Sequence, residues 1–248
     1  MEEVVGAGIY QDNLVISKNL TLIGNSQETT IIDGCRLGRC VKIEANITVR
    51  IVGFTIKNGF EDDGGGIRNC GGNLTLENLT ITDSSARYGG GIANKLDGLM
   101  TLDGVTIKNN YGREDSAGIS NEGIMTIENS TITENNAHSG VGIFNWRTMT
   151  IVRSTIKGNH GVDSAGIWNH GSLTVMDSSF TDNIAETEGG GIYNCGIMHI
   201  YGTKFANNKA AQGGGIMNYF KAYLDDSTIS LMSSNIPNNF GGNRYIPA

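Results

Sequence analysis

The sequence predicts an all-β fold, a parallel β-helix wound as a solenoid, and three repeating columns of residues carry that prediction. The first is Gly-Ile-x-Asn. Its isoleucines, Ile67, Ile92, Ile119, Ile143, Ile167, Ile192 and Ile216, follow one another at 24 to 27 residues. A fixed period of that size marks a solenoid, a propeller or an array. Each isoleucine is followed two residues later by asparagine: Asn69, Asn94, Asn121, Asn145, Asn169, Asn194 and Asn218. The second column is an apolar-Thr-apolar triplet around Thr21, Thr48, Thr75, Thr101, Thr126, Thr150 and Thr174, which gives way to His199 and Tyr223. The third runs through Ile56, Ile81, Ile107, Ile132, Ile156, Phe180, Phe205 and Ile229, with Asn110, Asn135, Asn159, Asn183 and Asn208 three residues after their partners.

Each period therefore holds three short segments of alternating apolar and polar residues, the period of a strand. A propeller blade needs four strands in roughly 40–45 residues, so three in about 24 fit a coil of a β-helix, stacked ~4.8 Å from the next. About nine such coils make a rod ~43 Å tall. The stacked isoleucines and phenylalanines fill the bore. Glycine before each isoleucine suits a positive φ or a backbone too crowded for a Cβ. Asparagine tolerates left-handed turns, and its amide can bond a turn backbone and the next asparagine at once. Outward threonine suits a pleated, half-exposed surface.

Composition agrees. The chain has 36 glycines in 248 residues, about twice average usage. Both prolines, Pro237 and Pro247, follow the last regular rung, so no stacked strand loses a donor. Residues 1–248 read as one domain: 1–16 an incomplete first coil, 17–232 regular coils, 233–248 a tail or cap. A net charge of −7 argues against nucleic acid or an anionic membrane surface as partner. No apolar run is long enough to span a bilayer.

Cys35 and Cys40 flank a tight loop, where a local disulfide and two free thiols are both open. Cys70 and Cys195 sit five coils apart and cannot bridge. No Cys-x-x-Cys pair or His/Cys cluster marks a metal site, and no cofactor motif is present. Asn-x-Thr occurs at Asn19, Asn46, Asn73, Asn78 and Asn129. It fits a glycosylation signal but is better explained as the repeat leading into a strand.

Gly-Gly-x-Ile paired with Phe-x-x-Asn, seen as Phe180 to Asn183 with Gly189 to Ile192 and as Phe205 to Asn208 with Gly213 to Ile216, resembles the repeats of polymorphic outer-membrane proteins. More widely, residues 8 to 240 resemble right-handed β-helix proteins of the pectate-lyase-like superfamily. That resemblance implies a right-handed coil and leaves function open, because the fold hosts lyases, hydrolases, adhesins and spacers. It also implies export. Met1 to Val5 lacks the basic start and apolar stretch of a secretion signal, so the expectation is an extracellular or cell-surface protein whose signal has been removed, or a part of a longer chain.

Two surface features are candidates for function. The residues after each repeat isoleucine and each asparagine should face outward. They are small or polar in early rungs and become Phe144, Trp146, Trp168, His170, Tyr193, Met217 and Tyr219 in later ones. A flat ladder of aromatics can stack on sugar rings or bury against a protein. The partners expected are therefore a surface glycan or protein, or a second copy of the chain joined end to end through open strand edges. The second feature is the acidic turn before each glycine run, with Asp115, Asp163, Glu188 and the nearby His138. Rung spacing brackets glycosidase carboxylate separations, which makes a carbohydrate-active enzyme the alternative to a binding protein. The Asn-Thr-Asp, Gly-His-Gly and Arg-Ile-Lys runs that polygalacturonases share are missing, as is a basic residue among calcium-binding aspartates. The threonine column could suit ice, but strand preference explains it.

Overall fold

The computed structural model describes residues 1–243 and 245–247. Every ladder in it is parallel, and each strand pairs with its counterpart one coil away, as Ile143 does with Ile119 and Ile167. Among the described residues, three long sheets of 11, 10 and 10 strands run the length of the rod, and a fourth sheet of 6 strands is confined to its middle. The first sheet carries the threonine column, the second the Ile/Phe column and the third the Ile-x-Asn column.

The fourth sheet is an addition to the three strands expected per coil. It runs from Phe60–Asp63 through Ser85–Tyr88, Tyr111–Asp115, Asn136–Ser139 and His160–Gly161 to Ile184–Ala185, and lies between the second and third sheets in chain order. Residues 1–16 supply one strand to each long sheet, Glu2–Val5, Gly8–Gln11 and Leu14–Ile16, all paired with the next coil.

The bore is filled as the alternation predicts. Ile81, Ile107, Ile132, Ile156, Phe180 and Phe205 are fully buried, and the two phenylalanines stack at 4.8 Å between ring centroids. The glycine before each isoleucine is explained by crowding. A Cβ on Gly166 would stand 2.1 Å from the Gly191 carbonyl oxygen, because consecutive coils approach backbone to backbone there.

Both asparagine columns form buried ladders. Asn145 Nδ2 donates to Asn169 Oδ1 at 2.8 Å, and Asn135 Nδ2 to Asn159 Oδ1 at 3.0 Å. Asn235 extends the second ladder by accepting from Asn208. A third ladder is made of hydroxyls: Ser154 Oγ accepts from the Ser130 amide, Ser178 Oγ from the Ser154 amide, and Thr228 Oγ1 from the Thr203 amide. Of the Asn-x-Thr asparagines, Asn46, Asn78 and Asn129 adopt positive φ, so they serve as turn residues.

Two register expectations are corrected. Arg50, not Thr48, aligns with Thr21 and Thr75, because the turn from Asn25 to Thr29, between strands Leu20–Gly24 and Thr30–Asp33, is longer than the turn of Gly53 and Phe54 at the same place in the next coil. Met232, not Ile229, aligns with Phe205. Asp225 to Ser227 favour a helix start, and Asp226–Ser230 form a short helix whose N-cap, Asp225, accepts from the Thr228 amide. In the tail, Phe240–Gly242 and Ile246–Pro247 add strands to the third and first sheets. Cys35 and Cys40 are both free thiols. Burial pushes the Cys40 thiol up to about 12, which keeps it protonated and unreactive. Among the described residues no helix is long and apolar enough to cross a membrane.

Candidate binding cleft

Two columns meet at the corner that follows the third sheet. The residues after the isoleucines, Arg68, Ala93, Ser120, Phe144, Trp168, Tyr193 and Met217, stand in strict register. The residues after the asparagines stack beside them, held by backbone bonds such as Trp146 N to Asn121 O at 2.9 Å and His170 N to Asn145 O at 2.8 Å.

The structure gathers the predicted aromatics but does not lay them out as a flat exposed ladder. They form two layers. Phe144 is 3% exposed, and Met217 is buried as well. Trp146 and His170 lie over Phe144, with ring centroids at 4.8 and 5.6 Å, and stack on each other at 4.7 Å and 14°. Trp168 is half-buried against Phe144 at 5.1 Å and Tyr193 at 5.1 Å. The tight turn after each asparagine folds the second column back across the first, which is why the aromatics cover one another. Trp146 is 49% exposed and Tyr219 45%, and His170 is exposed beside them. Partial burial lowers the pKa of His170, which favours its neutral form.

The predicted acidic residues separate into three environments. Asp163 accepts from Ser139 Oγ at 2.8 Å and from Thr187 Oγ1 at 3.3 Å, with His138 Nδ1 3.8 Å away. Glu188 accepts the Tyr219 hydroxyl at 2.7 Å, which raises the tyrosine's pKa. Asp115, in register with Tyr88 and Ser139, accepts no side-chain hydrogen bond from the described residues. Its pKa is raised, first by burial and then by the charge of Glu114. Asp115, His138 and Asp163 act on one another through their charges, whereas Glu188 is bonded elsewhere, to Tyr219.

Asp115 instead faces a cleft of about 250 Å³ shared with Trp146 and Phe144. The cleft arises from a step in the column after the isoleucines. Ala93 and Ser120 are small and buried, and Phe144 follows them, so the floor is low on one side and aromatic on the other. Tyr88 and Asp115 of the fourth sheet form one wall, and Lys95, Glu122 and Trp146 the opposite one. The Tyr88 hydroxyl donates to Glu114, which is paired with Arg87 at 2.7 Å. Lys95 Nζ lies 5.6 Å from the Tyr88 ring centroid and between two carboxylates, Asp63 at 3.3 Å and Glu122 at 2.5 Å.

Ser120, Lys95 and Glu122 stand in the outward columns of the sequence and Tyr88 in the turn column, but nothing there marks them as binding residues. The signal was present as the change from small or polar to aromatic residues along one column. Its meaning depended on the fourth sheet, which supplies the facing wall. A second depression lined by Leu96, Asp97 and Arg147 shares Glu122 and Trp146 with the cleft, so the indole stands as a ridge between two hollows.

A family model described as a right-handed β-helix region matches residues 5–185, more than half of the chain. No curated protein and no solved structure matches it.

Proposed function

Because this chain belongs to the right-handed β-helix family, whose members share a scaffold and differ in the sites grafted onto it, we propose that it acts as a glycan-binding surface protein, exported and non-catalytic. The observation that supports this reading is Trp146. Its indole is half-exposed, is packed on Phe144 below and His170 alongside, and borders a cleft whose other wall carries Asp115, a carboxyl that accepts no side-chain hydrogen bond among the described residues. A fixed aromatic plane beside hydrogen-bonding groups suits the two faces of a sugar, apolar C–H on one side and hydroxyls around the rim. Asp163 and Glu188 are each taken up by hydroxyl donors, Ser139 and Thr187 on one and Tyr219 on the other, which favours binding over acid–base catalysis that needs two free carboxyl groups set across one bond.

The test is a polysaccharide panel read by affinity electrophoresis and by tryptophan fluorescence. Trp146→Ala is expected to weaken binding about tenfold, the scale of one aromatic contact, while the melting temperature stays close to that of the parent. A variant that matches the parent on every glycan retires the reading.

A further inference from the structure

The charges around the cleft do not balance. The Arg87–Glu114 pair is neutral in itself. Lys95 is the one ammonium on the opposite wall, and it is shared by Asp63 and Glu122. Asp115 adds a third carboxylate; His138 and Arg87 act on it through their charge, but among the described residues no counter-charge is bonded to it. Its half-buried position makes the anion costly to maintain without a partner. A cation entering the cleft would remove that cost, and a neutral hydroxyl would do so only in part.

The corner also shows what kind of cation it can hold. The Lys95 side chain is only 12% exposed, yet its ammonium sits within reach of the Tyr88 ring and two carboxylates. An aromatic face combined with carboxylates is the environment that stabilises a desolvated ammonium. The lining of the cleft holds a second set of those components, with Trp146 as the aromatic face and Asp115 as the carboxylate.

We infer that the cleft selects a saccharide carrying a free primary ammonium, a glucosamine-type residue, with its amine on Asp115 and its ring against Trp146. This rests on the glycan-binding reading and names the class of sugar. The cleft volume of about 250 Å³ has room for a single pyranose ring, and the second hollow beyond Trp146 gives the next residue of a chain a place to lie.

Isothermal titration with β-1,4-linked glucosamine oligomers, and with N-acetylglucosamine and glucose oligomers of equal length, tests it under conditions that keep the amine protonated. The glucosamine oligomer is expected to bind about tenfold more tightly than the other two, a charge-assisted contact of roughly 1.4 kcal/mol. Asp115→Asn should remove that preference and leave the affinities for the other oligomers within about twofold. Asp12→Asn removes the same charge elsewhere on an acidic chain and should leave the preference intact. Equal affinity for all three oligomers, a preference that survives in Asp115→Asn, or equal losses in the two Asn variants overturns the inference. If neutral oligomers bind through Trp146 without preference, the glycan reading stands and only the amine assignment falls. If no oligomer binds, both fall.

Discussion

Asn145 donates through Nδ2 to Oδ1 of Asn169 at 2.8 Å, and both residues are fully buried. Each amide in the column is both donor and acceptor, so a break at one rung leaves two neighbours incomplete. Asn145 Nδ2 also reaches the carbonyls of Arg147 and Ser172, which ties the turn to the ladder.

Replacing Asn145 or Asn169 with leucine is therefore expected to cost about 1–3 kcal/mol per site, the penalty for buried amide groups left without partners. Denaturant titration measures it. Two variants with unchanged midpoints would mean that the ladder contributes nothing to stability.

The hydroxyl ladder makes a parallel prediction. Ser154 Oγ accepts from the Ser130 amide at 3.1 Å and donates to the Val152 carbonyl at 2.8 Å. Ser154→Ala orphans a buried backbone N–H and should cost about 1–3 kcal/mol. Ser154→Thr keeps the hydroxyl, as Thr203 and Thr228 do in the same column, and should retain most of the stability. Equal losses in the two variants would show that packing, not the hydrogen bond, sets the value.

How much was legible in the sequence followed from the size of the inward side chains. The Ile, Phe and Asn columns are large or chemically distinctive, so their period could be read directly and it gave the fold. The fourth sheet turns Ala86, Gly112, Ala137, Gly161 and Ala185 inward. These residues are too small to produce an apolar alternation, so its strands were read as acidic turns. The cleft was missed for the same reason, since its facing wall is built on those strands. The burial of Phe144 was also not legible. Alternation places it outside the bore, but only the path of the turn after Asn145 determines that Trp146 folds over it.

The cap of the short helix makes stability depend on pH. Burial alone would raise the pKa of Asp225, but hydrogen bonds from Ser227 Oγ and from the Thr228 and Gly202 amides outweigh it and hold the carboxyl at about 2. A folded-state pKa below the ordinary carboxylate value near 3.9 gives stability that is present above that value and is lost as pH falls toward 2. Asp225 is partly exposed, so solvent screening limits the charge term to about 1 kcal/mol. Asp225→Asn keeps a capping side chain but cannot titrate. The stability difference between parent and variant should therefore be largest near neutral pH and shrink between pH ~4 and ~2. A difference that is flat across that range would show that the carboxylate charge does not support the cap.

Gly166 and Gly158 test which feature of glycine this chain uses at each place. At Gly166 the φ is not positive, but a Cβ would lie 2.1 Å from the Gly191 carbonyl oxygen. Backbone cannot swing aside as a side chain can, so the two coils would have to separate locally. Gly166→Ala is expected to cost at least the ~1–3 kcal/mol of an overpacked core. At Gly158 the φ is +60°, and the nearest atoms to a Cβ are Thr133 Oγ1 at 3.8 Å and Glu134 Cγ at 4.0 Å. The corresponding turn residues Asn58, Asn109 and Asn207 adopt the same left-handed conformation with side chains attached. Gly158→Asn should therefore be nearly neutral, because asparagine tolerates that region and restricts the unfolded chain, whereas Gly158→Val, β-branched, should cost about 1–2 kcal/mol. Thermal melts of the three variants check the set. A Gly166→Ala protein as stable as Gly158→Asn would mean that the coils do not approach as closely as the backbone contact at Gly191 requires.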